Sequence, residues 1–357
     1  MGATDNIALS RILSQAAGFR ASDLHLVIGT QPTVRLDGKL VTLDTEPIVT
    51  ADFMVSALAT LLTDDQRQRL TSDKEIIAAV TLNAQLRFKL TAFYQRGNIS
   101  ISIHFIGTTA AKLADLQLPE VVQGFVSLTK GLVLVTGPYG SGKSTTLTAL
   151  VNEMNNTRSA NIVTIESPIE FLYVNNRSIV EQREVGRDAL TFEQAIIAAT
   201  KEDVDVIVVS EADSPSVMKA MLDAADAGRL VLSTMNSDSP LATIDAILNG
   251  VPTAEMPKVR TKLAATLAGI VSQRLIPRIG GGLVLVADIL IPTPPVRSVM
   301  RDGALVQLAN TLQTSRAPGI PNFDRTLAKL VADGSIKLED AMANAHDPAV
   351  VQAASRQ

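Results

Sequence analysis

An octapeptide, Gly137-Pro-Tyr-Gly-Ser-Gly-Lys-Ser144, stands between the apolar run Leu132 to Val135 and a segment whose apolar residues Leu147, Leu150, Val151 and Met154 recur at helical spacing. Nothing else in the chain constrains the fold as much, because G-x-x-x-x-G-K-[ST] between a strand and a helix is the pattern of a phosphate loop. Glycines 137, 140 and 142 open backbone conformations closed to other residues, so successive amides can face phosphate oxygens. Lys143 is placed to neutralise the β- and γ-phosphates of ATP, Ser144 offers a hydroxyl to Mg²⁺, and the N-terminus of the following helix adds partial positive charge. Ser141 and Thr145 complete the candidate contacts. The bland alternative is a glycine-rich strand-to-helix turn that binds nothing.

The runs Leu132 to Val135, Ile162 to Ile165, Val206 to Val209 and Leu230 to Leu232 are short, nearly continuous apolar stretches separated by helix-length segments. Strands buried on both faces belong to parallel sheets in α/β domains. The chain ahead of them reads differently. Ile7 to Ala17 has helical periodicity, strands joined by turns follow from Asp23 to Leu43, and a helix is expected over about 51 to 62. Leu86 to Ala92 and Ile99 to Phe105 then alternate apolar and polar, which predicts a half-buried antiparallel sheet with helices on one face. The pattern changes near residue 115. The expected organisation is residues 1–115 as an N-terminal domain and linker, 116–260 as the α/β core, and 261–357 as a mostly helical remainder. In that last part Leu263, Leu267, Ile270 and Val271 form one apolar stripe and Phe323, Leu327, Leu330 and Val331 another, with a strand at 283–290 between them.

Two acids stand where strands end. Asp205-Val-Ile-Val-Val-Ser-Glu211 is an apolar strand closing on a carboxylate, which makes Glu211 the candidate for orienting the attacking water and for reaching the metal through its water shell. Glu166, after the strand Ile162 to Ile165, lies where ligands sit in open α/β sheets and is the second catalytic candidate, able to serve the metal, although an acid there can also simply cap a turn. The chain contains no cysteine, which excludes disulfides and thiolate-held metals. Neither a membrane span nor a signal peptide is expected. A net charge of −4 and only 3% aromatic residues argue against a broad nucleic-acid surface.

Several segments beyond the phosphate loop carry a family resemblance. Asp23-Leu-His-Leu, Arg35-Leu-Asp-Gly38, Gly131 to Thr146, Thr164-Ile-Glu-Ser-Pro-Ile-Glu170, Gln182-Arg-Glu-Val-Gly186 and Pro295-Val-Arg-Ser-Val-Met-Arg301 occur in order. Together they resemble the PilT-type ATPases that retract type IV pili, within the wider type II/IV secretion ATPase family. That resemblance implies a PAS-like α+β domain followed by a RecA-like P-loop ATPase domain. It also implies a homo-hexamer that hydrolyses ATP with Mg²⁺ at the inner face of the cytoplasmic membrane and drives an inner-membrane platform protein. Arg87 and Arg96 match arginines that the family presents towards the phosphates, whereas Lys89 and His104 replace others.

The resemblance is incomplete at the chemistry. Ser167 stands where the family's Asp box has aspartate, and Arg229 and Asn236 stand where its His box has histidines. Three readings remain: a motor with weakened turnover, a nucleotide-binding accessory subunit beside an active paralogue, and a nucleic-acid translocase, which the charge balance disfavours.

Overall fold

The computed structural model describes residues 2–82, 86–107, 109–314, 320 and 322–354. The chain divides into two compact units, Met1–Thr109 with Glu170–Leu172, and Ala110–Ile169 with Tyr173–Gln357.

The first unit contains α1 (Gly2–Gly18), β1 (Asp23–Val27), β2 (Thr33–Leu36), β3 (Lys39–Thr42), α2 (Ala51–Leu61), α3 (Asp64–Asp73), β4 (Glu75–Leu82), β5 (Leu86–Gln95) and β6 (Asn98–Ile106). Its six strands form an antiparallel sheet in the order β3-β2-β1-β6-β5-β4. The alternation read from the sequence is the reason: Leu24, Leu26, Phe88, Leu90, Ile101 and Ile103 all point to one side, where Leu9, Ile12, Leu13 and Ala16 of α1 and Met54 and Leu58 of α2 close the core. The opposite side carries the polar partners of the same strands. The β5–β6 hairpin turns on Arg96 and Gly97, whose φ angles of 48° and 79° are those of a two-residue turn that matches strand twist.

The second unit holds β7 (Gly131–Thr136), α4 (Lys143–Thr157), β8 (Asn161–Glu166), β9 (Ile179–Glu184), α5 (Phe192–Lys201), β10 (Val206–Val209), α6 (Pro215–Asp226), β11 (Leu230–Met235), α7 (Pro240–Asn249), α8 (Met256–Thr266), β12 (Leu267–Pro277) and β13 (Leu283–Leu290). The chain closes with α9 (Pro294–Asp302), α10 (Leu305–Thr314), α11 (Phe323–Ala332), α12 (Leu338–Asn344) and α13 (Pro348–Ala354). Its seven-stranded sheet runs β13-β12-β7-β11-β10-β8-β9, parallel except for β13. Alternate residues of the central strands feed two separate cores. Leu132, Leu134, Ile207, Val209 and Val231 pack with α5, α6 and α8, whereas Val133, Val135, Val206, Val208 and Leu232 pack with α4. Burial on both faces is what removes the polar half of the strand pattern.

One expectation is overturned. Leu263, Leu267, Ile270 and Val271, read as a single helical stripe, are split between α8 and β12, and the remainder after residue 260 contributes two strands to the main sheet. β12 lies between β7 and β13 and is buried on both sides, so its apolar residues follow no period of two, and their spacing imitates a helix. Among the described residues no helix is long and apolar enough to cross a membrane.

Candidate phosphate-binding site

Strands β12, β7, β11, β10 and β8 run parallel, so their C-terminal ends share one edge of the sheet. The octapeptide leaves β7 at that edge and enters α4. Gly137, Gly140 and Gly142 have φ angles of 149°, 77° and 84°, and Gly142 caps the helix without any side-chain bond, which leaves the first amides of α4 directed outward. Lys143 Nζ lies 3.0 Å from the carbonyl oxygens of both Gly137 and Pro138, so the ammonium sits over the loop it belongs to. Ser144 and Thr145 are exposed on the first turn, and Ser141 is buried beneath it.

The loop is seated on β12. A Cβ at Gly137 would come within 2.3 Å of the Gln273 carbonyl oxygen and 2.5 Å of Ser141 Oγ. Gln273 Nε2 donates to the Ser141 carbonyl at 2.7 Å. Just before the loop, Thr136 Oγ1 donates to Ser272 Oγ at 2.8 Å. The sequence reading missed this support. Its only signal was a polar pair, Ser272-Gln273, inside an apolar run.

The sequence-predicted acids follow along the same edge. Glu211 comes two residues after β10, where the Ala212 amide donates to the Thr234 carbonyl and locks the segment to β11. β10 is two strands from β7, a separation of roughly 10 Å at the usual spacing. Asn236, immediately after β11, donates its side-chain amide to Glu211 Oε1. Glu166 ends β8, one strand further out, and accepts from Thr164 Oγ1 at 2.6 Å and Gln182 Nε2 at 3.0 Å. Burial first, and the neighbouring Glu166 charge second, push the Tyr173 hydroxyl well above its usual range.

Arg229 does not belong to this edge. It precedes β11 at the opposite end of the strand and donates to the carbonyls of Thr200 and Glu202. From residue 229 to residue 236, a strand rising ~3.3 Å per residue covers roughly 20 Å. Arg229 therefore acts as a tie for the end of α5, and only Asn236 of the expected pair lies near Glu211.

Arg87, Arg96 and His104 lie in the first unit. Arg87 Nε donates to the Glu170 carbonyl and Nη1 to Thr81 Oγ1, and Lys89 pairs with the Glu170 carboxylate at 2.6 Å. Arg96 occupies the hairpin tip. His104 Nδ1 is 3.0 Å from Asp23 Oδ1. Burial opposes the ionised form of Asp23, yet the hydrogen bonds from His104 and Ser22 and the nearby imidazoles outweigh it and lower the carboxyl below its ordinary value. His104 thus already has an acidic partner.

Among the described residues no group of three or more His, Asp or Glu side chains could hold a metal. Mg²⁺ keeps most of its waters and is held through substrate phosphates with one or two protein oxygens. The exposed Ser144 hydroxyl and the Glu211 carboxylate are oxygens of the kind that Mg²⁺ takes.

A phosphate-loop sequence at the end of β7, an acid two strands away and a first unit built on an antiparallel sheet define the class, and the sequence profile described as "Type II/IV secretion system protein" matches residues 4–281. The chain belongs to that family. It is 36% identical over 341 residues to the type IV pilus retraction ATPase PilT of Pseudomonas aeruginosa, covering 95% of this chain and 98% of the relative. It is 30% identical to the type IV pilus ATPase PilU of the same organism, covering 94% and 87%. A crystal structure of the pilus retraction motor PilT with bound ADP superposes with a TM-score of 0.82 at 36% identity, over 95% of this chain and 97% of that one.

Proposed function

We propose that this chain is an ATP-hydrolysing motor subunit that powers type IV pilus retraction, and hence twitching motility, with turnover weakened relative to its relatives. The observation that carries the reading is the phosphate loop at the end of β7, with three positive-φ glycines and Lys143, facing the same sheet edge as Glu211. The names of the relatives, a retraction ATPase, a second pilus ATPase and an ADP-bound retraction motor, support it.

In this reading the amides of residues 140 to 144 and the Lys143 ammonium hold the β- and γ-phosphates, with Thr145 and Ser141 beside them. Mg²⁺, when bound with the nucleotide, would supply charge neutralisation. Ser144 would hold it, with Glu211 acting through its water shell. Glu211 orients the attacking water with Glu166 as the second catalytic carboxylate, and Arg87 and Arg96 match the arginines that the family presents towards the phosphates; the first unit is PAS-like and the second RecA-like. The working form is a homo-hexamer at the cytoplasmic face of the inner membrane, acting on a platform protein there and alongside a paralogous ATPase. Head-to-tail contacts that close on themselves give such rings.

Weakened turnover is argued from Asn236. Its amide occupies one oxygen of the carboxylate that should orient water, and Ser167 supplies no charge where the family has one. The same observation favours the second reading, an accessory subunit that binds nucleotide and hydrolyses almost none. Steady-state phosphate release by wild type beside Glu211→Gln tests both. A wild-type rate at least about tenfold above the variant, with equal nucleotide affinity, supports the motor. Equal rates leave the accessory subunit, and no nucleotide binding by either protein removes both.

A further inference from the structure

β12 is an eleven-residue strand buried along almost its whole length, and in its middle sit two polar side chains, Ser272 and Gln273. Gln273 is wholly buried. Its Nε2 donates to the Ser141 carbonyl at 2.7 Å, and its Oε1 has no hydrogen-bond partner among the described residues. Burying an amide with half of its hydrogen-bonding capacity unmade is destabilising, a cost that a leucine or methionine of similar volume would avoid. A purely structural role does not account for the residue.

Its surroundings show what it holds. The side chain passes beneath the phosphate loop: a Cβ at Gly142 would meet Gln273 Nε2 at 3.2 Å, and a Cβ at Gly137 would meet the Gln273 carbonyl at 2.3 Å. Ser272 grips Thr136 at the entry to the loop, and Thr136 Oγ1 in turn accepts from Thr243 Oγ1 at 3.4 Å. β12 therefore fastens both the entry of the loop and its buried turn at Ser141. Two further buried hydroxyls in the same place, Ser141 Oγ and Thr146 Oγ1, lack partners among the described residues. Unsatisfied polar atoms gathered under one loop are expected where function overrides packing. Backbone amides hold a phosphate well only when they converge to within about half an ångström of their ideal positions, and a loop of flexible glycines needs that convergence imposed from outside.

We propose that Gln273 is the positioning residue of the phosphate loop, acting through the Ser141 carbonyl to hold the loop amides in phosphate-binding register. The inference rests on the loop being the nucleotide site, and it assigns the loop's alignment to a side chain 132 residues away in sequence.

The test compares four full-length proteins, wild type, Lys143→Ala, Gln273→Leu and Gln273→Glu, by direct titration with a fluorescent ADP and a fluorescent ATP analogue and by melting temperature without nucleotide. Gln273→Leu keeps the volume and removes the donor, and should bind both nucleotides about tenfold more weakly, equivalent to about 1.4 kcal/mol. The weakening should appear at temperatures well below the melting transition, where loss of stability alone leaves affinity untouched. Gln273→Glu adds a readout that packing cannot mimic. Its protonated form still donates to Ser141, whereas its ionised form repels both that carbonyl and the phosphates, so its affinity should approach wild type at about pH 6 and fall at about pH 8.5. If Lys143→Ala loses binding while Gln273→Leu stays within about twofold of wild type, or if Gln273→Glu matches wild type at both pH values, the assignment of Gln273 is overturned and the phosphate site stands. If Lys143→Ala binds as wild type does, the phosphate-site reading itself fails.

Discussion

Replacing Gly137 and Gly140 by alanine, one at a time, separates a glycine required by contact from one required only by its backbone. Both have positive φ, but a Cβ at Gly140 meets nothing within 4 Å, whereas at Gly137 it meets the Gln273 carbonyl at 2.3 Å and Ser141 Oγ at 2.5 Å. For Gly140→Ala the cost is that of a left-handed alanine, about 1 kcal/mol. For Gly137→Ala the backbone strain is joined by a clash against the main chain of β12, which has no rotamer to give way, and about 3 kcal/mol is expected. In a domain of this size each kcal/mol lowers Tm by roughly 2–4 °C, so Gly137→Ala should melt about 6–12 °C below wild type and Gly140→Ala about 2–4 °C below. Differential scanning fluorimetry reads both, first without nucleotide and then with ADP. Wild type in ADP at about 100 Kd gains about 2.7 kcal/mol and melts correspondingly higher. Gly137→Ala should lose that gain, because relieving the clash moves the loop away from β12. Equal melting temperatures for the two variants, with the ADP shift intact in Gly137→Ala, would refute the seating of the loop on β12.

Three further outcomes are expected. Asn236→His, which restores the family's residue beside Glu211, should raise kcat by about tenfold or more with little change in KM, and an unchanged kcat would remove Asn236 from the account of weak turnover. Asp23 has a lowered carboxyl value in the folded chain, so its stabilising contribution is present above the unfolded reference of 3.8 and is lost as pH falls through the lower folded value; Asp23→Asn should flatten the acid side of the stability profile, as read by urea midpoints, and an unchanged profile would count against the pairing with His104. The hydrogen bond from His346 to Asp288, 3.5 Å away, with a smaller contribution from the Asp324 charge, raises the imidazole above its usual 6.5 despite partial burial, so that contribution is full below 6.5 and is lost as pH rises through the raised value; solvent screening keeps it to at most about 1 kcal/mol, and Asp288→Asn should reduce the slope on that side of the profile, an unchanged slope counting against the pairing.

The parts of this molecule legible in the sequence are those whose cause is local. The phosphate loop needs its glycines, lysine and serine within one octapeptide, and β7, β8, β10 and β11 advertise burial on both faces by running apolar without alternation. α3 was invisible because only Leu70 of its ten residues is buried, so no stripe forms. Its sole signal was the capping box of Thr63 and Gln66, in which each side chain bonds the other's backbone amide. β12 misled for the opposite reason, since a strand buried on both sides has no period to betray it and Leu263, Leu267, Ile270 and Val271 happen to fall at helical intervals.

The functional residues divide along the same line. Arg229 and Asn236 flank one strand and read as a pair, yet a strand carries its two ends roughly 20 Å apart, and only the end shared with the phosphate loop can serve it. A helix of the same length would have separated them by only about 10 Å, so their separation follows from β11 being a strand. Gln273 is the converse case: distant in sequence, it is carried beneath the loop because β12 pairs in parallel with β7 and brings Ser272 level with Thr136. Register between strands, which no single segment encodes, therefore decides both which acid and amide meet at the phosphate edge and which side chain holds the loop there.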